Sequence, residues 1–215
     1  MFRILIIWLI TCMTMSPSDA QSTSTQSVAG EYYLTGIREI GSGIKLNPDA
    51  TFEFFFAYGA LDRAGQGTWK QQGNQIILNS RPRPEKDFAL ITSRTVPEKG
   101  LTVRLVDPNK QLLSYVAFAI KNGTDVQREM ADSDGKATFS KSTAEAISLR
   151  FELCPDRYSV FTVANKAHNY FEFRFEPWIA EVFFDNVAYK LTDNDLEGPH
   201  PLLETGKTYS FERNQ

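Results

Sequence analysis

"TFEFFFAYGALDRAGQGTW", Thr51 to Trp69, puts four phenylalanines, a tyrosine and a tryptophan into nineteen residues. In an extended chain successive side chains point to opposite faces. Phe52, Phe54, Phe56 and Tyr58 then share one face, and Glu53, Phe55 and Ala57 share the other. Upstream, "SGIKL" reads as a strand reversed at Asn47-Pro48-Asp49; downstream, Gly65-Gln66-Gly67-Thr68-Trp69-Lys70 leads to a turn at Gly73-Asn74 and the strand "QIILNS". One aromatic face on consecutive short strands predicts an antiparallel meander or partial barrel. The rings read first as core. Phe55 and Tyr58 fit that reading least, and Asp62 and Arg63 fall in a segment flanked by glycines. Phe55, Tyr58, Asp62, Arg63 and Trp69 are therefore the candidate ligand-binding residues: an aromatic floor beside a charged loop.

The order "LNPDATF", "GTW", "NQIIL", over about Ile44–Asn79, resembles the strand repeats of lipocalin-like and related small β domains of exported bacterial proteins. That resemblance implies a carrier with an apolar cavity beneath Phe52–Trp69. A closed lipocalin-type barrel takes eight strands, whereas this block has space for roughly five or six. "RPRPEKDF", Arg81–Phe88, reads as a solvated loop, "FALITSRTV" adds a strand, and Pro97-Glu98-Lys99-Gly100 marks the expected boundary between a small β domain (29–96) and a second domain (97–215).

The second block runs as short strands separated by turns at Asp107-Pro108-Asn109, Asn122-Gly123 and Asp134-Gly135, the last two read as hairpins. A capping-box pattern at Ser142–Glu145 predicts one short helix. In Phe171-Glu172-Phe173-Arg174-Phe175-Glu176 the alternation is complete, with rings inward and charges outward. The valine-rich opening strand and Asp132-Ser133-Asp134-Gly135-Lys136-Ala137-Thr138-Phe139 resemble transthyretin-like and carboxypeptidase-regulatory-like β-sandwiches. The resemblance implies architecture, in modules that are usually non-catalytic. The fold expectation is all-β: a meander or partial barrel, then a transthyretin-like sandwich.

Residues 1–20 read as a secretory signal: Arg3, an apolar run Ile4–Ile10, and small residues Ser18 and Ala20 before Gln21. The run is well short of the roughly 20 residues that cross a bilayer. Cys12 after that run gives lipid anchoring as the alternative. Residues 21–28, rich in Ser, Thr and Gln, read as a tether. Export to the periplasm or outside the cell is the expectation. Removing Arg3 and Asp19 leaves the net charge at −3, and with no basic stripe nucleic acid is not an expected partner. Only Cys154 would then remain, so an internal disulfide is excluded.

No zinc-protease helix motif, nucleophile elbow or phosphate loop is present. His168 and His200, in turn-like contexts and read first as surface residues, are the two histidines available to a dispersed hydrolase site. Asp193, Asp195, Glu197 and Glu204, with Gly198 at the sixth position, follow the order of a calcium loop, against a solvated connector as the plainer reading. The function expected is a non-catalytic exported protein that binds a small molecule or a partner protein, with a lipocalin-like carrier or a hydrolase as alternatives.

Overall fold

A computed structural model describes residues 27–59 and 61–214; the signal segment and most of the tether lie outside them. Five strands come first: β1 (Gly30–Leu34), β2 (Ile40–Leu46), β3 (Thr51–Tyr58), β4 (Leu61–Gln72) and β5 (Gln75–Asn79). Eight follow: β6 (Phe88–Arg94), β7 (Leu101–Val106), β8 (Val116–Asn122), β9 (Asp125–Met130), β10 (Lys136–Phe139), β11 (Ala146–Phe151), β12 (Ser159–Thr162) and β13 (Tyr170–Phe175). The chain ends with β14 (Glu181–Val182), β15 (Val187–Thr192), β16 (Asp195–Gly198) and β17 (Tyr209–Arg213).

The expected meander is present over β2–β5 and starts one strand earlier, at β1, but the chain's last strands close it. β5 pairs with β15, β15 with β16, β16 with β17, and β17 with β1. The result is a closed antiparallel eight-stranded barrel, with β14 lying parallel beside the start of β4. The division after residue 96 is thus not the one the hydrogen bonds follow: residues 187–213 belong to the barrel and β6–β13 are inserted into it. A five-strand meander leaves two open edges, and C-terminal strands satisfy both.

Alternation decides the barrel's two sides. Tyr32, Ile44, Phe52, Phe54, Phe56, Ile76, Leu78, Tyr189, Leu196 and Phe211 point inward and are buried. Outward positions carry Lys45, Glu53, Asp62, Gln66 and Lys70, all exposed. That is the reverse of a lipid-embedded barrel, which is apolar outside. No helix among the described residues is long and apolar enough to cross a membrane. Two glycines on β4 admit close approach: a Cβ on Gly67 would stand 2.0 Å from the Asn79 carbonyl oxygen, and one on Gly65 would stand 2.7 Å from that of Val182.

The insert forms two four-stranded sheets, β10-β7-β13-β6 and β12-β11-β8-β9, whose inner faces bury Val103, Phe118, Phe139, Leu149 and Phe173 in one core. Phe171 and Phe173 are buried and Arg174 exposed, as the alternation demands. Two local expectations are corrected. Asp134-Gly135 is not a hairpin tip, because β9 pairs with β8 while β10 pairs with β7; it carries the chain from one sheet to the other. Residues 142–145 form no helix: the Glu145 carboxylate accepts from the Gly123 N–H across the sheet edge (3.0 Å). Among the described residues the helical element is a short 3-10 turn, Lys110–Tyr115, capped by Asn109.

Candidate functional site

The outer face of β1–β4 is ordered in rows by the strand register. Glu31, Lys45, Glu53 and Gln66 are consecutive cross-strand partners; so are Tyr33, Gly43, Phe55 and Ala64, and then Gly41, Ala57 and Asp62. The middle row continues to Glu181 on β14. Phe55 lies down over Gly43, where a Cβ would come within 2.6 Å of its ring, and meets Tyr33 edge-on at 6.1 Å. Over these rows, walled by Pro177, Ala180 and Glu181, runs an open groove of about 810 Å³. Phe55 and Tyr33 remain 43% and 39% exposed and lie side by side on this face.

The groove gathers three of the five candidate ligand residues: Phe55, Asp62 and Arg63 line it. They do so differently from the sequence reading. Asp62 and Arg63 are on strand β4, not in a loop, and neighbours on a strand face opposite ways. Asp62 is exposed; Arg63 is 4% exposed. Tyr58 stands outside the groove at 52% exposure. Trp69 points inward, packs on the barrel core and donates from its indole nitrogen to the Asn47 carbonyl at 2.9 Å.

Arg63 is the barrel end of an ion-pair chain that the sequence reading missed. It donates two hydrogen bonds to Asp156 (2.8 and 3.1 Å) and one each to the carbonyls of Ala180 and Glu181 (3.3 Å). Arg83 bridges Asp156 and Asp87, and Arg157 grips Asp87 at 2.6 and 2.8 Å. Burial raises the Asp156 pKa, but the hydrogen bonds and charge of Arg63, then of Arg83, bring it below the usual carboxylate value. These groups join barrel to insert. "RPRPEKDF" is therefore a pinned crossing: Trp178 donates to the Lys86 carbonyl (2.8 Å) and Arg81 pairs with Glu181 (2.5 Å). Cys154 is buried nearby, where desolvation pushes its thiol up and away from reactivity. The inward alternation of Leu61, Arg63 and Gly65 was the available signal.

The barrel interior is filled by its own side chains. His200, 4% exposed, stacks on Phe211 and meets Phe54 and Phe56 at 5.7 and 5.6 Å. The Leu202 N–H donates to its Nδ1 (3.2 Å), so Nε2 carries the proton and donates to Ser42 Oγ (3.0 Å). Ser42 in turn donates to the Phe55 carbonyl (2.8 Å). Burial lowers the His200 pKa to about 4. His168 also meets a serine, with Nδ1 2.8 Å from Ser93 Oγ. The Asn165 amide nitrogen lies 3.0 Å from His168 Nε2, and its oxygen accepts from the Ala167 N–H. Nε2 must therefore accept and Nδ1 donate. In both pairs the histidine N–H donates a hydrogen bond to the serine oxygen, opposite to a general base accepting from a nucleophile.

The calcium-loop carboxylates do not converge. Asp193 sits in the β15–β16 turn at φ 55°, Asp195 accepts from the Arg213 N–H (2.9 Å), Glu197 lies on β16, and Glu204 pairs with Lys207 (2.6 Å). Among the described residues no group of three or more His, Cys, Asp or Glu side chains is placed to hold a metal ion. The β15–β16 hairpin spends this segment on closing the barrel. Compared with known proteins, the chain matches no protein family, no curated sequence and no solved structure.

Proposed function

We propose that this is a non-catalytic exported binding protein that takes a small molecule or a segment of a partner protein on the outer face of its barrel. The observation that carries this reading is the groove over Tyr33, Gly43, Phe55 and Ala64, where two large rings stay exposed beside small residues and two acids, Glu53 and Asp62, that no base pairs among the described residues. Its volume of about 810 Å³ suits a compact ligand or a few residues of a chain. The leader Ile4–Ile10 supports export. The hydrogen-bond direction at Ser42–His200 and Ser93–His168 supports the absence of catalysis by those pairs. A carrier with its ligand inside the barrel is the weaker reading, because Tyr32, Phe54, His200 and Phe211 occupy that space. The insert's two-sheet body fits a transthyretin-like scaffold holding the groove's far wall.

The test is native mass spectrometry of the protein purified from its own host, beside a Tyr33→Ser/Phe55→Ser double variant. A bound species on the wild type that the variant lacks, at equal thermal stability, is the expected result. A bound species retained by the variant would place the site elsewhere.

A further inference from the structure

The charges of the groove are unevenly satisfied. Glu31 has Lys45 at 3.9 Å and Glu181 holds Arg81, while Arg63 is taken up by Asp156. Glu53 accepts only from the Asn47 amide (3.2 Å), and neither Glu53 nor Asp62 is paired with a base among the described residues. Both are exposed and both face the groove. The open face is therefore anionic at two points, with a partly exposed aromatic pair between them. Carboxylates beside ring faces attract a cation through both charge and the ring quadrupole.

The spacing of the two acids restricts the ligand further. On β3, Glu53, Phe55 and Ala57 point the same way, and Asp62 stands across from Ala57. Acid and ring thus stand two residues apart on β3, and the second acid stands on β4 beside the next outward position, Ala57. Four residues of strand span about 13 Å, so the backbone positions of the two acids are offset by about that distance along the sheet, on adjacent strands, with Phe55 and Ala64 in the row between. An extended peptide lying over β3 and β4 has the same repeat: its side chains at i, i+2 and i+4 all face the barrel. The floor suits a chain approaching this way, since Gly41, Ala57 and Ala64 present little side chain.

Building on the proposed outer-face site, we infer that its occupant is an extended peptide segment of basic-x-apolar-x-basic pattern. One base meets Glu53, the apolar residue covers Phe55 against Ala64, and the second base meets Asp62. A compact cation reaches one acid only, which is why the extended segment is preferred.

The probe is the capped peptide Lys-Gly-Leu-Gly-Lys, titrated into the isotope-labelled mature protein and followed by backbone amide NMR, with Gln-Gly-Leu-Gly-Gln and the reordered Lys-Lys-Gly-Gly-Leu as controls. Expected are shifts at Tyr33, Phe55 and Ala64, weakened by salt. Glu53→Gln and Asp62→Asn should each loosen binding about 2- to 5-fold, as exposed charge pairs do, with the reordered peptide weaker still. Equal binding of the glutamine peptide overturns the basic pattern and leaves the groove standing. No shift from any peptide, with a native adduct still lost in the Tyr33→Ser/Phe55→Ser variant, overturns the peptide and points to a small molecule. No shift and no adduct overturns both this inference and the site.

Discussion

His200 shows what one residue contributes when the fold closes around it. The side chain fills space among Phe54, Phe56 and Phe211 and uses both nitrogens, one accepting from the Leu202 N–H and one donating to Ser42. Its pKa in the folded state is about 4, against the ordinary 6.5. The neutral form is favoured on folding, so the unfolded chain binds the extra proton between those values. The stability from keeping His200 neutral is complete above about pH 6.5 and is lost as pH falls towards 4, by on the order of 3 kcal/mol. Urea unfolding of wild type and His200→Leu across this range should show the wild type falling more steeply; parallel curves would mean that His200 charges freely in the folded protein. The sequence offered this histidine only as one of a pair in turn-like contexts. Its burial follows from closure of the barrel over residues 199–203, which no local pattern announces. Arg63 was read together with Asp62 as a charged loop; on strand β4 the two face opposite ways, and one residue exchanges the solvent face for the core.

Among elements, β4 has the largest role. Its first half pairs with β3 and β14, its second with β3 and β5, and the exchange happens at Gly65 and Gly67, where only glycine leaves space for the neighbouring carbonyls. From that first half Arg63 reaches into the insert. Breaking a buried pair leaves a charge uncompensated, which is costly, whereas replacing both members by apolar groups is often not. Asp156→Asn should therefore destabilise the protein by about 2 to 4 kcal/mol, since Arg63 is shut off from water and Asp156 keeps a quarter of its exposure. Arg63→Met/Asp156→Leu should lose less than the two single changes added together, read from urea midpoints in a double-mutant cycle. Strict additivity would show that the two residues do not act as a pair. The turn at Asn47-Pro48-Asp49 was legible because its chemistry is local: the Asp49 carboxylate accepts from the Thr51 N–H at 3.0 Å. Asp134-Gly135 was misread because the same turn chemistry serves a hairpin or a passage between sheets, and pairing partners far along the chain choose between them.

At the scale of the whole molecule, the barrel is assembled from both ends of the chain with the two-sheet body set between β5 and β14. Residues 27–96 contain a complete meander but lack Val182, Phe184, Tyr189, Leu196 and Phe211, which share the barrel core. Produced alone, that fragment is expected to show no cooperative thermal transition in circular dichroism. A sharp transition would restore an independent N-terminal domain. The all-β class, the strands β2, β3 and β5 with the second half of β4, the inward phenylalanines and the odd position of Phe55 were written in the sequence, because strand periodicity and turn chemistry act over a few residues. Closure by β15–β17, the burial of Arg63 against Asp156 and the gathering of Tyr33, Phe55 and Asp62 along one groove were decided by the tertiary structure alone. Each depends on contacts between segments far apart in the chain, whose partners compete on shape and unsatisfied hydrogen bonds and leave no mark in any short window.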